Sequence, residues 1–252
     1  MKTCASSYQL NSTKSDMTHS EFSPGLVINT ATPALRLSDF KLIAFDMDST
    51  LINIECVDEI ADAAGRKAEV AAITEAAMRG EITDYKDSLR RRVALLEGVS
   101  VTSMDEVYHQ RLKLNPGAAE LVHACKAAGL KILLVSGGFT FFTDRIRDEL
   151  GIDYTRSNVL ETSNGKLTGK MIDQPWGDIC DGDEKRKMLL ETCAQLGIKP
   201  QQTIAMGDGA NDLPMMGVAG LSVAWHAKPA VREQAMVAIN SGGLDRLLEL
   251  MQ

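Results

Sequence analysis

Four short apolar segments, three of which end in small or acidic residues, are the feature that most constrains how this sequence can fold. They lie at residues 41–46 (KLIAFD), 132–138 (ILLVSGG), 203–209 (TIAMGDG) and 220–225 (GLSVAW). Short, continuously apolar runs of this kind predict buried strands. Segments with helical patterns follow or separate them, at residues 116–129, 141–151, 184–197 and 230–239. This alternation predicts an α/β fold with a doubly wound parallel sheet, a Rossmann-type core.

One stretch breaks the alternation and predicts a second domain. Residues 54–113 carry no strand pattern, and their candidate helices are 57–65, 68–79, 84–97 and 103–113. We expect these helices to form a cap inserted after the first strand, above the carboxyl edge of a core made of residues 39–53 and 114–252. An Asn-Gly pair at 164–165 lies between short alternating segments, which predicts a hairpin.

The N-terminal residues 1–38 are rich in Ser, Thr, Asn and Pro and show no sustained periodicity, so we expect a flexible tail. Within this tail, residues 25–37 (GLVINTATPALRL) could form a short strand laid on the core.

Charge and cysteine content exclude several classes of partner. A net charge of −7 argues against nucleic acid or an anionic membrane as the main partner. No apolar run approaches the roughly 18 residues of a membrane span. The five cysteines are scattered and contain no C-x-x-C pair, which indicates reduced thiols and a cytoplasmic protein.

Two aspartates, Asp46 and Asp48, follow the first predicted strand. Residues two apart on an extended chain point the same way, so both carboxylates can face one site. For a lone pair, an Asx turn or helix cap is the more common explanation. A second pair, Asp208 and Asp212, follows another strand, and the carboxyl ends of parallel strands share one edge. Acids gathered there would repel each other unless they bound a hard cation, and Mg²⁺ fits best.

These residues predict phosphoryl transfer. Beside a metal, Asp46 could attack a phosphate ester and form an acyl-phosphate, while Asp48 could protonate the leaving group. Ser136, Gly137 and Gly138 offer a hydroxyl and unobstructed backbone N–H groups for phosphate oxygens. Lys185 begins a predicted helix and could reach the phosphate. Taken alone, the glycine pair is an ordinary turn and Lys185 an ordinary solvated lysine.

Together these segments resemble a known superfamily. DMDST at 46–50, SGG at 136–138, Lys185 and GDGAND at 207–212 are similar, in order, to the four motifs of the haloacid dehalogenase (HAD) phosphatases. The longer stretches DMDSTLINIECVDEIA, AMRGEITDYKDSLRRRV and GDGANDLPM resemble, within that superfamily, the phosphoserine phosphatases. The resemblance covers roughly residues 40–250.

The resemblance implies Mg²⁺-dependent hydrolysis of the small molecule O-phospho-L-serine through an aspartyl-phosphate, the last step of L-serine biosynthesis. It is compatible with a monomer or a homodimer. It also implies a role for each candidate residue. Asp46 would be the nucleophile and Asp48 the general acid and base. The metal would be held by Asp46, the Asp48 carbonyl and Asp208, with Asp212 nearby. The phosphoryl group would be held by Ser136, Gly137 and Lys185, and Asn211 would contact phosphate or substrate. The serine moiety would be met by Glu55 (ammonium), Arg92 (carboxylate), Met78 and Tyr85.

Helical geometry separates the three adjacent arginines Arg90, Arg91 and Arg92. At about 100° per residue, Arg91 lies nearly opposite the apolar stripe that contains Leu89, whereas Arg92 lies about 60° from Leu89. Arg92 is therefore expected to lean under the cap toward a ligand, and Arg90 and Arg91 to form a solvated basic face.

Two alternative functions remain open at this stage. One is a HAD phosphatase for another small phosphorylated metabolite. The other is a signalling receiver module, which also collects acidic residues and a lysine around a phosphorylated aspartate. The predicted cap and the second acid at Asp48 favour turnover over a lasting phosphorylation signal.

Overall fold

The structure of the chain, a computed structural model, describes residues 20–30, 34–79 and 81–252, with the side chain of Met78 left out. The strands are β1 (Ser20–Ser23), β2 (Leu26–Ile28), β3 (Leu42–Phe45), β4 (Lys131–Phe139), β5 (Tyr154–Ser163), β6 (Lys166–Ile172), β7 (Thr203–Gly207), β8 (Leu221–Trp225) and β9 (Val237–Ile239). The helices are α1 (Cys56–Ala63), α2 (Lys67–Met78), α3 (Tyr85–Ala94), α4 (Val101–Gln110), α5 (Ala118–Ala127), α6 (Thr140–Leu150), α7 (Gly182–Leu196), α8 (Leu213–Met216) and α9 (Pro229–Arg232).

The strands form one nine-stranded sheet in the order β1-β2-β9-β8-β7-β3-β4-β5-β6. From β9 to β5 every neighbouring pair is parallel, and antiparallel strands extend both edges. Within β3, Ile43 and Phe45 face the core layer that contains α5 and α6. Leu42 and Ala44 face the opposite layer, which contains α7 and α8. Helices on both faces of a parallel sheet confirm the predicted doubly wound α/β fold.

Helices α1 to α4 occupy the segment between β3 and α5, where helices alone were predicted. Each contributes buried apolar side chains to the core layer that also holds Phe45, among them Ile60, Val70, Leu89 and Met104. The helical insertion therefore shares a continuous hydrophobic core with this layer. No helix in the described part of the chain is both long and apolar enough to cross a membrane.

The predicted hairpin is present and touches this insertion. Asn164 (φ 50°) and Gly165 (φ 73°) form the turn between β5 and β6, in the left-handed conformation that favours an Asn-Gly pair. The tip then bonds to the loop between α3 and α4. The Gly98 N–H donates to the Leu167 carbonyl (2.9 Å), and the Leu167 N–H donates to the Val99 carbonyl (2.8 Å).

One predicted helix is wrong in its second half. The segment 230–239 was expected to be helical throughout, but the helix α9 ends at Arg232 and residues Val237–Ile239 form β9. Strand β9 pairs in parallel with β8 and antiparallel with β2, and all three of its residues are buried. Pairing on both sides satisfies its backbone, which outweighs the local helical pattern.

The predicted tail ends earlier than residue 38, and the short strand expected within residues 25–37 is present as Leu26–Ile28. Residues Ser20–Ser23 and Leu26–Ile28 are strands that extend the sheet beyond β9, and Leu26 is fully buried. Arg246 binds this hairpin by donating to the Pro24 carbonyl (2.6 Å) and to Ser23 Oγ (2.6 Å). Residues 1–19 lie outside the described residues.

If this N-terminal hairpin belongs to the fold, then Leu26→Ala should lower the free energy of unfolding by about 2–4 kcal/mol, because it leaves a cavity in a packed core. Urea denaturation measures the loss. Phe22→Ala is the matched control, since Phe22 lies in the same hairpin with 53% of its surface exposed. Equal effects of the two substitutions would contradict the placement of β2 in the core.

Candidate active site

The chain turns sharply where β3 ends, and this turn presents the first acidic pair. Met47–Leu51 form a tight helical turn, broken by Ser49 in the left-handed region (φ 56°). Asp46 Oδ1 accepts a hydrogen bond from the Met47 N–H (2.7 Å), and the Met47 side chain is buried. The Ser49 N–H donates to the Ile54 carbonyl (3.1 Å), which closes the turn below α1.

Acidic groups from two strand ends meet around one buried lysine. Carboxylate oxygens of Asp46, Asp208 and Asp212 lie within 4.8 Å of one another. Lys185 Nζ, which is fully buried, lies 2.7 Å from Asp46 Oδ1 and 2.7 Å from Asp212 Oδ1. Thr50 Oγ1 donates to Asp208 Oδ1 (2.9 Å). The predicted convergence of these residues is therefore present, and Lys185 is not a solvated surface lysine.

The electrostatics of this cluster favour a bound cation. Burial, followed by the charge of Asp212, raises the pKa of Asp46 well above its usual value. The same two causes raise the pKa of Asp208 to about 7. Burial lowers the pKa of the Lys185 ammonium, but the attraction of Asp212 and Asp46 outweighs it and raises that pKa well above its usual value. One lysine cannot neutralise three acids, and an all-oxygen donor set fits a hard divalent ion.

Asp48 lies beside this cluster and is held by the start of α1. The Cys56 N–H donates to Asp48 Oδ2 (3.1 Å), and the Cys56 thiol donates to Asp48 Oδ1 (3.1 Å). Burial, followed by the charge of Glu55, raises the pKa of Asp48 to about 7. A carboxyl group with such a pKa can both give and take a proton near neutral pH.

The segment Ser136 to Gly138 runs directly past Asp48 at the end of β4. The Gly138 N–H donates to Ser136 Oγ (2.8 Å), and a Cβ atom added to Gly138 would lie 3.2 Å from Asp48 Oδ2. A Cβ atom added to Gly137 would lie 2.0 Å from the Tyr85 hydroxyl, so only glycine fits beneath the cap there. The structure thus brings Tyr85, from the insertion, onto the glycine segment.

Two other predicted substrate residues lie in the helical insertion, Glu55 directly before α1 and Arg92 in α3. Ser49 Oγ donates to Glu55 Oε1 (2.6 Å), which fixes one oxygen of this exposed carboxylate. Arg92 is half-buried, and its Nε atom is buried without a hydrogen-bond partner among the described residues. Burial raises the pKa of Glu55 and of Tyr85, and the positive charge of Arg92 offsets part of each increase. Asn211 lies in the turn Ala210–Asp212 beside Asp212, whereas the side chain of Met78 lies outside the described residues.

The arginine geometry agrees with the helical phase. Arg90 and Arg91 are exposed, and they pair with Asp178 and with Asp87 one turn away. Arg92 is the least exposed of the three, as expected from its position on the flank of the apolar stripe.

Two residues that support the site were not singled out by sequence reasoning. Cys56 binds Asp48, and its only sequence signal is its place after Glu55 at the start of a helix. Asn158, which is 1% exposed, donates to the Gly137 carbonyl (2.8 Å) and accepts from the Cys180 N–H (2.8 Å). A lone asparagine in a strand gives no pattern to read, although a buried amide in a sheet always needs partners.

Comparison with known proteins places this site in a family. The family of haloacid dehalogenase-like hydrolases matches residues 40–220. A phosphoserine phosphatase from Polaromonas sp. is 85% identical over 236 residues, which cover 94% of this chain and 100% of the relative. A substrate-bound phosphoserine phosphatase complex is 37% identical, with a TM-score of 0.77 over 84% of this chain and 99% of that one.

A second solved structure, a phospho-aspartyl intermediate analogue of phosphoserine phosphatase, is 38% identical, with a TM-score of 0.77 over 84% of this chain and 99% of that one. The family match, over residues 40–220, includes β3, α7 and β7, which carry or directly precede the residues of the acidic cluster. The chain therefore belongs to the haloacid dehalogenase-like hydrolases and, within them, to the family of the phosphoserine phosphatases.

Proposed function

We propose that this protein hydrolyses O-phospho-L-serine to L-serine and phosphate through an aspartyl-phosphate, as the last step of serine biosynthesis. The observation that carries the proposal is the meeting of Asp46, Asp208, Asp212 and Lys185 beyond the carboxyl ends of β3 and β7. The relatives' names support the same substrate, and one of them is described as an analogue of a phospho-aspartyl intermediate.

Asp46 is the nucleophile in this proposal. Both the Met47 N–H and the Lys185 ammonium contact Oδ1, so we assign Oδ2 as the oxygen that attacks phosphorus. A Mg²⁺ ion held by Asp46, the Asp48 carbonyl and Asp208, with Asp212 nearby, would offset the repulsion between carboxylate and phosphate. Lys185 adds a second positive charge, while Ser136 and Gly137 hold phosphate oxygens and Asn211 contacts phosphate or substrate.

Asp48 is the general acid and base. In the first step its proton goes to the serine alkoxide as the ester bond breaks. In the second step the Asp48 carboxylate takes a proton from water, which attacks phosphorus and frees Asp46 with release of phosphate. The two hydrogen bonds from Cys56 keep the Asp48 carboxyl group in place for both steps.

Residues 54–113 serve as a cap whose side chains bind the serine moiety. Glu55, fixed by Ser49, binds the substrate ammonium. Arg92 binds the carboxylate, and its unpartnered buried Nε–H supports this role, because a buried donor without an acceptor is costly until a ligand supplies one. Tyr85 and Met78 pack against the substrate. We place the enzyme in the cytoplasm, in keeping with the free thiols of Cys56, Cys125, Cys180 and Cys193.

A phosphate-release screen tests the proposal. We expect rapid Mg²⁺-dependent release from phosphoserine and far slower release from phosphothreonine, phosphoglycolate and nucleotides. Faster turnover of another phosphate ester would favour a HAD phosphatase for a different metabolite. Release that stops at one equivalent per chain would favour the receiver alternative.

Exchange of Asp48 for asparagine should slow turnover of phosphoserine by about 10²–10⁴-fold, as expected for loss of a general acid. Because an aryl phosphate has a good leaving group that needs little protonation, its phosphorylation step should suffer much less. Burst kinetics with both substrates separate the two steps. Equal losses of the phosphorylation rate for the two substrates would contradict the role of Asp48 as the acid.

A further inference from the structure

The peptide group between Gly137 and Gly138 is held from both sides. Its carbonyl oxygen, that of Gly137, accepts a hydrogen bond from the Asn158 side-chain amide (2.8 Å). Its N–H, that of Gly138, donates to Ser136 Oγ (2.8 Å). The C=O and N–H of a trans peptide group point in opposite directions within one plane, so the two hydrogen bonds together fix the orientation of that plane. The mechanism above uses Ser136 and Gly137 and leaves Asn158 without a role.

This peptide group needs such a restraint because it lies between two glycines. A Cβ atom at Gly137 would lie 2.0 Å from the Tyr85 hydroxyl, and one at Gly138 would lie 2.9 Å from Met47 Cε. Side chains therefore do not fit at either position in this arrangement. Two adjacent glycines in turn leave the backbone free to adopt many conformations, so the chain itself does not prevent the peptide from flipping.

The ladder between β4 and β5 is interrupted at the same place. Val135 of β4 pairs with Arg156 of β5. The next pair is Phe139 with Asn158, so three residues of β4 lie opposite one residue of β5. Such a shift of register disrupts the regular backbone pairing of residues 136–138. The side chain of Asn158, which is 1% exposed, supplies a hydrogen bond to this segment in its place.

The opposite end of the Asn158 amide is fixed as well. Its Oδ1 atom accepts from the Cys180 N–H (2.8 Å), in the segment that precedes α7. A side-chain amide carries its acceptor and its donors on one rigid plane, so rotation would break the bonds at both ends. The contact with Cys180 therefore keeps the amide N–H directed at the Gly137 carbonyl.

We propose that Asn158 is a positioning residue for the Ser136 hydroxyl, which it keeps available to the phosphoryl group by preventing the Gly137–Gly138 peptide from flipping. Because Ser136 Oγ accepts from the Gly138 N–H, its own O–H is left to donate to a phosphoryl oxygen. A flipped peptide would present the Gly137 carbonyl to Ser136 instead, and the hydroxyl would then donate to that carbonyl. The inference rests on the proposed function, since it assumes that Ser136 binds a phosphoryl oxygen.

Two other roles of Asn158 make different predictions. If Asn158 only stabilised the pairing of β4 with β5, its loss would lower the melting temperature without weakening phosphate binding. If it acted through Cys180 on α7 and Lys185, its loss would weaken phosphate binding whether or not Ser136 is present. Inorganic phosphate is a suitable probe, because it occupies the phosphoryl site and has no group for the cap residues to bind.

The experiment measures the inhibition constant of inorganic phosphate against hydrolysis of an aryl phosphate, together with the melting temperature. We expect Asn158→Leu, which has a similar size but no donor or acceptor, to raise the constant about tenfold, as for the misalignment of one hydrogen bond to a charged group. Ser136→Ala should raise it at least as much. In that background Asn158→Leu should add less than about twofold, because the two residues act on one contact. Asn158→Ala should show the same pattern if the leucine variant folds poorly.

Ser157→Ala is the matched control. Ser157 precedes Asn158 in β5, is 5% exposed, and shares a hydrogen bond with the Thr143 hydroxyl (2.7 Å) in α6. Its loss should lower the melting temperature and leave the inhibition constant unchanged. An unchanged constant for both Asn158 variants, an equal rise for Ser157→Ala, or a full tenfold rise on top of Ser136→Ala would overturn the proposal. A parent enzyme that hydrolyses no phosphate ester, or that phosphate does not inhibit, would instead overturn the proposed function, so the two failures are distinguishable.

Discussion

Replacing Asp46 with asparagine should abolish turnover, with kcat reduced by at least about 1,000-fold, as when a covalent nucleophile is removed. The amide keeps the shape of the side chain but cannot form an acyl-phosphate. The fold should remain intact, because Lys185 keeps its ion pair with Asp212 and the acidic cluster loses one repulsive charge. We expect a melting temperature within about 4 °C of the parent, which corresponds to about 1 kcal/mol for a chain of this size.

The measurement combines steady-state kinetics with acid-quench trapping of radiolabelled phosphate on the protein. Parent enzyme should carry label and the Asp46→Asn variant should not. Asp183→Asn is the control, because Asp183 is an exposed acid in the first turn of α7, which also carries Lys185. If the Asp46 variant kept a tenth of the parent kcat, Asp46 would not be the nucleophile.

Loss of Arg92 should have the second largest effect and should depend on the substrate. Arg92→Ala removes a charge-assisted contact to the substrate carboxylate. The stabilisation of the transition state for phosphoserine, measured as kcat/KM, should therefore weaken by roughly 2–4 kcal/mol. The loss should appear mainly in KM. An aryl phosphate, which has no carboxylate, should be hydrolysed at nearly the parent rate.

The neighbouring arginines are matched controls on the same helix. Arg90 and Arg91 are exposed and pair with Asp178 and Asp87. Each alanine substitution should therefore change the free energy of transition-state stabilisation, measured as kcat/KM, by no more than about 1 kcal/mol. A larger effect at Arg91 than at Arg92 would contradict the orientation of α3. If none of the three alanine substitutions lowered kcat/KM, phosphoserine would not be the substrate that this cap recognises.

The central acidic cluster could be predicted because parallel strands deliver their carboxyl ends to one edge. Asp46 and Asp208 follow separate apolar runs, and the topology brings such runs side by side. What the pattern could not predict was the way in which the charges are balanced. Lys185 looked like one of several basic residues on a helix, yet it is fully buried between Asp46 and Asp212.

The edges of the sheet were harder to predict for a different reason. Strand β9 has three residues, too few to display a period, and it is defined by its pairing with β8 and β2. Asn158 and Cys56 likewise act through contacts with residues distant in the chain or around a turn, so a single position carries no signal. In each case the deciding contact joins separate segments of the chain, so the local sequence pattern does not reveal it.

The contact between the β5–β6 hairpin and the helical insertion bears on how relatives of this chain can be recombined. The tip of the hairpin lies more than fifty residues beyond the end of the insertion in the sequence, yet Gly165 and Leu167 bond to the backbone at Gly98, Val99 and Val101. A chimaera that exchanges residues 54–113 alone keeps these bonds only where the loop between α3 and α4 of the donor follows the same backbone path. Substrate preference should therefore transfer as a pair of segments, the helical insertion together with residues 154–172.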